Sequence, residues 1–309
     1  MVLKDKYGRP LLNLRIAVTK KCNLHCSYCH GEGELNHAKN LETEMTPEEI
    51  SRIIKIAVSL DICRVKLTGG EPLMRSDILE TVRQISSVSG LKDLSMTTNG
   101  TLLSPLAREL HSNGLRRVNI SVPTLRQQEF YKLTGGNVED TLQGVRAAVE
   151  AGFFPVKLNM LILKGINDST VPEMVEFASK TGTILQLIEL EQINISNRYF
   201  MRRHKQLDEY EKMLEQKSVK VETREFMQNR RIYHLPHATV EVVKPIENTE
   251  FCLHCTRIRV TSNGKLKPCL MRNDNMVDIL TPMRKGASDR KLAELFMQAN
   301  MQRQPYSRH

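Results

Sequence analysis

Cys22-Asn23-Leu24-His25-Cys26-Ser27-Tyr28-Cys29 places three thiols within eight residues, directly after the apolar run Leu14–Thr19. Three thiolates can hold three irons of a 4Fe–4S cube and leave the fourth iron open to a chelating ligand, which is what a cluster needs to do chemistry on a small molecule. The same spacing admits a structural zinc site, whose fourth ligand could only be His25 or His30. It also admits a loop that merely carries cysteines.

Outward from this stretch, the 309 residues hold seven cysteines, three near each end and Cys63 between them. An odd, clustered set argues for a reducing compartment and metal sites over disulfides, with Cys63 as a buried core thiol. No apolar run reaches the ~18 residues of a membrane span, and the first ten residues lack the apolar segment of a secretory signal. The expectation is a cytoplasmic protein. A formal charge of +10 invites a polyanion, either a nucleoside triphosphate or nucleic acid. With 5% aromatic residues, no Trp and no long basic block, the nucleic-acid reading carries little weight.

The first two-thirds of the chain alternates strand-like and helix-like segments, the mark of parallel βα units. Strand-like runs are Leu14–Thr19, Arg64–Thr68, Asp93–Thr98, Arg117–Val122, Val156–Leu163 and Thr183–Leu190. The clearest helix is Pro47–Leu60, with Thr46 as N-cap and Glu49 completing a capping box. Six units are too few for an eight-unit barrel, so the expected fold is α/β, a partial (β/α)6 barrel. A charged helix is expected from His204 to Gln216, breaking this rhythm. Short strands follow at Val219–Glu225, Arg231–Leu235 and Thr239–Pro245. A hairpin then joins Arg257–Thr261 to Lys265–Cys269 through Ser262-Asn263-Gly264, where Asn-Gly permits positive φ at both turn positions. The last helix spans Ser288–Met301. A soft boundary near residue 200 divides a barrel, 1–200, from a C-terminal β extension, 201–309.

Functional groups in such barrels collect beyond the C-terminal ends of the strands. After the second strand-like run stands Thr68-Gly69-Gly70-Glu71-Pro72, whose glycines let the backbone approach a ligand. Thr97-Thr98-Asn99-Gly100 follows the third, and Asn119-Ile120-Ser121 the fourth. Cys252, Cys255 and Cys269 form a second trio, which suits either another cluster with an open iron or zinc completed by His254 or His237. Arg257 and Arg259 between them point to one face of a strand and aim two guanidinium forks at one anion.

Cys-x3-Cys-x2-Cys with Tyr28 before the last cysteine resembles the cluster motif of the radical S-adenosylmethionine (SAM) superfamily. Thr68–Pro72 resembles that family's glycine-glycine-glutamate-proline motif. The run from Phe251 to Leu270, with Thr134-Gly135, Val156-Lys157-Leu158-Asn159 and Leu187-Ile188-Glu189-Leu190, narrows the resemblance to the GTP 3′,8-cyclase family of molybdenum cofactor biosynthesis. That resemblance implies two 4Fe–4S clusters, on Cys22/Cys26/Cys29 and on Cys252/Cys255/Cys269, the first serving SAM and the second the substrate. It implies SAM contacts at Tyr28, Gly70 and Ser121, and GTP contacts at Arg15, Lys66, Thr97, Lys157, Arg257, Ile258 and Arg259. It also implies an electron donor and a downstream enzyme making cyclic pyranopterin monophosphate, and it leaves a homodimer open.

The chain departs from the family pattern at Lys66 and Gln186, where arginines are usual, and at Pro123 and Glu191. It lacks the terminal diglycine; Arg308 is the residue that would stand in for it. Two rivals remain at this point. A radical-SAM peptide maturase would want more C-terminal cysteines. A zinc-stabilised nucleic-acid binder leaves Thr68–Pro72 and the βα units without a purpose.

Overall fold

A computed structural model describes residues 2–34 and 44–304. The expectation for Arg308 and the frayed end lies outside the described residues. Among the described residues twelve strands form one sheet: β1 (Asn13–Ala17), β2 (Arg64–Thr68), β3 (Asp93–Thr98), β4 (Arg117–Ser121), β5 (Val156–Leu161), β6 (Ile184–Ile188), β7 (Lys220–Arg224), β8 (Arg230–His234), β9 (Thr239–Val243), β10 (Arg257–Val260), β11 (Lys265–Lys267) and β12 (Val277–Asp278). Their order is β12-β11-β10-β1-β2-β3-β4-β5-β6-β9-β8-β7.

The six expected strands are present, all parallel. The C-terminal strands, however, do not form a separate layer. β10 adds parallel to β1, and β9 adds parallel to β6. Antiparallel β11–β12 and β8–β7 then finish the two edges. Residues beyond 200 therefore extend the barrel sheet on both sides.

Register separates two faces. Leu14, Val65 and Leu94 lie side by side, as do Ile120 with Leu158 and Leu185 with Val240. These residues are buried in the main core beneath the helices. The opposite face carries Arg259, Arg15, Lys66, Ser95 and Arg117 in one row across five strands, then Asn119 beside Lys157 and Asn159 beside Gln186 and Glu241. A barrel whose interior is only a core fills it with Val, Ile and Leu. Here the lumen is polar and charged, so it is built to receive something.

The helix Pro47–Ser59 starts as its residues dictate: Thr46 Oγ1 accepts from Glu49 N at 3.2 Å and Glu49 Oε2 accepts from Thr46 N at 2.9 Å. Ile50, Ile53, Ile54 and Ala57 form its buried stripe, and Cys63 is buried as expected. Two local expectations are corrected. The charged helix begins at Asp208, not His204, because an earlier helix, Asn197–Arg203, ends there and His204 is extended. The His204 ring stacks on Phe200 and its Nε2 lies 2.9 Å from Glu189 Oε1, contacts that a continued helix would break. In the hairpin only Gly264 has positive φ, 71°. Gly264 N donates to Thr261 O at 2.9 Å, making a type I turn followed by a left-handed glycine instead of a turn left-handed at both Asn263 and Gly264.

The helix Val138–Glu150 braces the site from outside. A Cβ on its Gly144 would lie 2.2 Å from Gly100 O, and Thr141 Oγ1 donates to Asn99 O at 3.0 Å. A mid-helix Gly→Ala change ordinarily stabilises, by about 0.5–1 kcal/mol. Gly144→Ala should reverse that sign and lower the midpoint of thermal unfolding; an unchanged or raised midpoint would refute the close approach.

Candidate active site

The first cysteine loop is fixed by backbone contacts on two sides. His25 N and Ser27 N donate to Thr134 O and Leu133 O at 2.8 and 2.9 Å, using carbonyls that the end of the helix Gln127–Thr134 leaves open. On the other side Gly70 N donates to Thr19 O at 2.8 Å and Glu71 N to Lys21 O at 2.7 Å. A Cβ on Gly70 would fall 2.2 Å from Lys21 O, and one on Gly69 2.3 Å from Thr19 O. The glycine pair thus lets two loops close on each other, a stricter demand than approach to a ligand. Glu71 is buried and completes the clamp, accepting from Leu73 N, Thr98 Oγ1 and Asn99 N at 3.1, 2.7 and 2.7 Å. Burial pushes its carboxyl pKa up, and these donors oppose that rise.

Cys22, Cys26 and Cys29 line a cavity of about 320 Å³ over the C-terminal ends of the parallel strands. Cys252, Cys255 and Cys269 line the same cavity. Of the remaining expected residues, Arg15, Tyr28, Gly70, Thr97, Ser121, Arg257 and Arg259 also reach it. Lys66 and Lys157 do not; they line a smaller space of about 60 Å³ that shares Arg15, Asn119, Gln186, Arg230 and Arg257 with the large one. The side chain of Ile258 faces away, fully buried in the core beneath the helices.

A cube spreads its thiolates over separate corners, and each trio of free cysteines supplies three of them. Cys255 is drawn below the usual thiol range: burial opposes this, but the guanidiniums of Arg303 and Arg257 outweigh it. A ligand thiolate is favoured there.

The two loops also hold each other. Lys267 is fully buried, and its ammonium donates to Gly33 O at 3.1 Å, to Arg272 O at 2.7 Å and to Asn273 Oδ1. It therefore ties the first cysteine loop to the segment after Cys269. Glu34 accepts from Ser262 N and Oγ at 2.8 Å each, a second tie to the hairpin.

Between the trios the walls are cationic. Arg257 and Arg259 are buried, and Arg15, half-buried on the cavity wall, is drawn down to about 10 by burial and then by Arg259. Burial and then Arg230 and Arg15 push Arg257 well below the usual arginine range. Glu32 stays ionised against its burial because Arg259 and Arg15 attract it. The sequence reading missed Arg230, Arg303, Glu32 and Glu241. The first three line the large cavity, and Glu241 lies beneath it in the small one. Arg230 fell just outside the strand expected at Arg231–Leu235, and the observed strand starts at Arg230 itself.

The arrangement defines a class of enzyme: two cysteine trios facing one cavity at the top of a parallel α/β barrel. The description "Radical SAM superfamily" matches residues 16–178, and "Molybdenum Cofactor Synthesis C" matches 183–309. The chain is 47% identical to a "Probable GTP 3′,8-cyclase" of Thermococcus kodakarensis over 99% of both chains. It is 46% identical to one of Pyrococcus horikoshii over 99% of this chain and 98% of that one, and 42% identical to one of Methanocaldococcus jannaschii over 98% and 99%. The chain belongs to the radical SAM superfamily and, within it, to the family of these archaeal relatives. Among solved structures, Streptococcus suis SuiB is similar with a TM-score of 0.63 at 17% identity, covering 85% of this chain and 62% of that one. The SAM-bound anSMEcpe is similar with a TM-score of 0.62 at 15% identity over 95% and 81%. Both likenesses concern the fold.

Glu241 gives a test of the charge balance. It is fully buried, pairs with Lys157, and lies 3.4 Å from Arg230 Nη1 and 3.5 Å from Arg224 Nη1. Burial pushes its carboxyl up and also pulls the Lys157 ammonium down, but the three cations hold the carboxylate far below its ordinary 4.5. A depressed carboxylate contributes stability that is complete above pH about 4.5 and lost as pH falls below it. Glu241→Gln should cost about 3–5 kcal/mol at pH 7 and flatten the acid limb of stability in denaturant titrations. An unchanged acid limb would show that the carboxylate is not held by these cations.

Proposed function

We propose that this chain converts GTP to (8S)-3′,8-cyclo-7,8-dihydroguanosine 5′-triphosphate, the first step of molybdenum cofactor biosynthesis, as a radical-SAM lyase. The observation that carries the reading is the single cavity that joins two cysteine trios to a wall of buried guanidiniums. A peptide maturase has no need of that wall.

Cys22, Cys26 and Cys29 would hold the cluster that serves SAM, and Cys252, Cys255 and Cys269 the one that serves the substrate. When bound, the first supplies the electron that cleaves SAM to methionine and the 5′-deoxyadenosyl radical that takes the 3′ hydrogen of GTP. The chain's own residues position and shield the reactants. Gly70, Ser121 and Tyr28 are assigned to SAM. Gly70 lines the cavity, and Tyr28, which lines it too, packs with Leu133, Leu163 and Leu190. Arg15, Thr97, Arg257 and Arg259 are assigned to GTP, with Lys66 and Lys157 below them. Lys66 donates to Asn119 Oδ1 at 2.7 Å, and Lys157 is engaged with Glu241. Each ammonium spends one of its three donors on that partner and keeps others for the polyphosphate. Ile258 serves by separating Arg257 and Arg259 on the strand.

By this reading residues 1–200 carry SAM chemistry and residues 201–309 carry the second cluster and much of the substrate grip, a division of labour within one sheet. No helix among the described residues is long and apolar enough to cross a membrane. We assign the protein to the cytoplasm, with a reductant as electron donor and the enzyme forming cyclic pyranopterin monophosphate as recipient of the product.

The decisive experiment is anaerobic: iron and sulfide reconstitution, reduction by dithionite, then SAM with GTP deuterated at C3′. Deuterium in 5′-deoxyadenosine is the expected outcome. Unlabelled 5′-deoxyadenosine would remove GTP as the substrate, and absence of SAM cleavage with iron at both sites would end the reading.

A further inference from the structure

We propose that Arg230 is a further polyphosphate-binding residue of this site, presented by the β7–β8 hairpin and held in place by Glu241; the inference rests on the GTP reading. Arg230 is 7% exposed and faces both cavities. Its Nη2 donates to Gln228 Oε1 at 2.6 Å and its Nη1 lies 3.4 Å from Glu241 Oε1, while its Nε is buried with no hydrogen-bond partner among the described residues. A desolvated guanidinium with an open donor is costly unless an acceptor arrives.

The hairpin makes this costlier still. Arg224 and Arg230 sit directly opposite each other on antiparallel strands, a like-charge pairing that destabilises a sheet. Glu241 on the next strand answers both, yet it also answers Lys157. One carboxylate shared by three cations leaves positive charge over. On the cavity side Arg230 adds to the repulsion already felt by Arg15 and Arg257. The excess belongs to a multiply charged anion that reaches down from the large cavity, past Gln186, into the small one.

The hairpin is built to aim this residue. Gln228 and Asn229 take positive φ, 67° and 53°, reversing the chain just before Arg230. Gln228 N donates to His254 O at 3.1 Å, and Thr256 Oγ1 donates to Phe226 O at 2.9 Å. These bonds tie the turn to the second cysteine loop, and Phe251 of that loop lies 5.7 Å from the guanidinium. Gln186, neutral and facing the same space, leaves this wall without a charge of its own on β6, and Arg230 supplies one from β8.

The test is equilibrium binding of GTP, inorganic triphosphate, guanosine and SAM to the reconstituted protein and to Arg230→Gln and Arg230→Lys. Loss of a charge-assisted contact should weaken GTP and triphosphate by about tenfold to a hundredfold in R230Q, with guanosine and SAM unchanged. R230K should recover part of the loss, keeping the charge without the fork. Equal GTP affinity in wild type and R230Q would overturn the proposal. So would a parallel loss of all four ligands in both variants, which marks a residue that only supports the fold. Wild type that binds triphosphate through Arg230 but not GTP would uphold the anion site and discard the guanine reading. Wild type that binds neither would discard both.

Discussion

Glu241 is wholly buried and shared among Lys157, Arg230 and Arg224, while Arg15, Arg257 and Arg259 crowd the space above it with Glu32 as their near counter-charge. Charges removed from water carry a desolvation penalty that only good pairing offsets, and here the pairing is incomplete. The apolar layer outside the sheet is what tolerates this. Each parallel strand buries its outward residues against helices, so the inward residues are free of the duty of packing. An inner face released from packing can hold uncompensated charge in a shape ready for an anion. Preorganised charge of this kind needs no rearrangement when substrate enters, which is the general advantage of a polar site over bulk water.

The cysteine loops obey a related constraint. A loop that presents three thiols has few side chains left over to hold itself in place. The first loop solves this with backbone bonds to Thr134, Leu133, Gly70 and Glu71, and its neighbours are glycines where any Cβ would collide. Gly33 shows the same device toward the second trio: its φ is +71°, and a Cβ there would meet Leu270 O at 2.5 Å. Lys267 and Glu34 then join this side to the hairpin. The spacing between the two trios is therefore a property of main-chain contacts and a few buried polar groups, and not of the thiols themselves.

Local chemistry was the legible part of the sequence. Thr46, Pro47 and Glu49 announce a helix start because a capping box is complete within four residues. The cysteine trios, the glycine pair and Arg257/Arg259 are likewise short-range patterns. Pairing across long separations was not legible: nothing in Arg257–Val260 states that it lies beside β1 rather than in a separate layer, since a strand's partner is chosen by tertiary packing. The Asn-Gly turn misled for the same reason. Ile279 N donates to Gly264 O at 3.1 Å, and a Cβ on Gly264 would strike Leu280, so a distant segment helps to shape the turn. Arg230 and Glu241 escaped notice because single charges on short strands usually face water; only the register that sets Glu241 beside Gln186 turns them inward.

That register also explains why the charged wall and the fold are inseparable here. β10 brings Arg257 and Arg259 to one flank of the sheet, and β9 brings Glu241 to the other, with Arg230 on β8 alongside it. Both flanks are supplied by residues after 200, whereas the first cysteine trio stands on a loop before them. A C-terminal segment that ended the sheet on one edge only would leave the cavity open along the other. By adding a parallel strand at each edge it flanks both sides of the lumen, so the second cysteine trio and the guanidinium wall line the same cavity as the first trio. The shared cavity follows from topology: two strands added at opposite edges of one sheet bring distant segments to the same lumen.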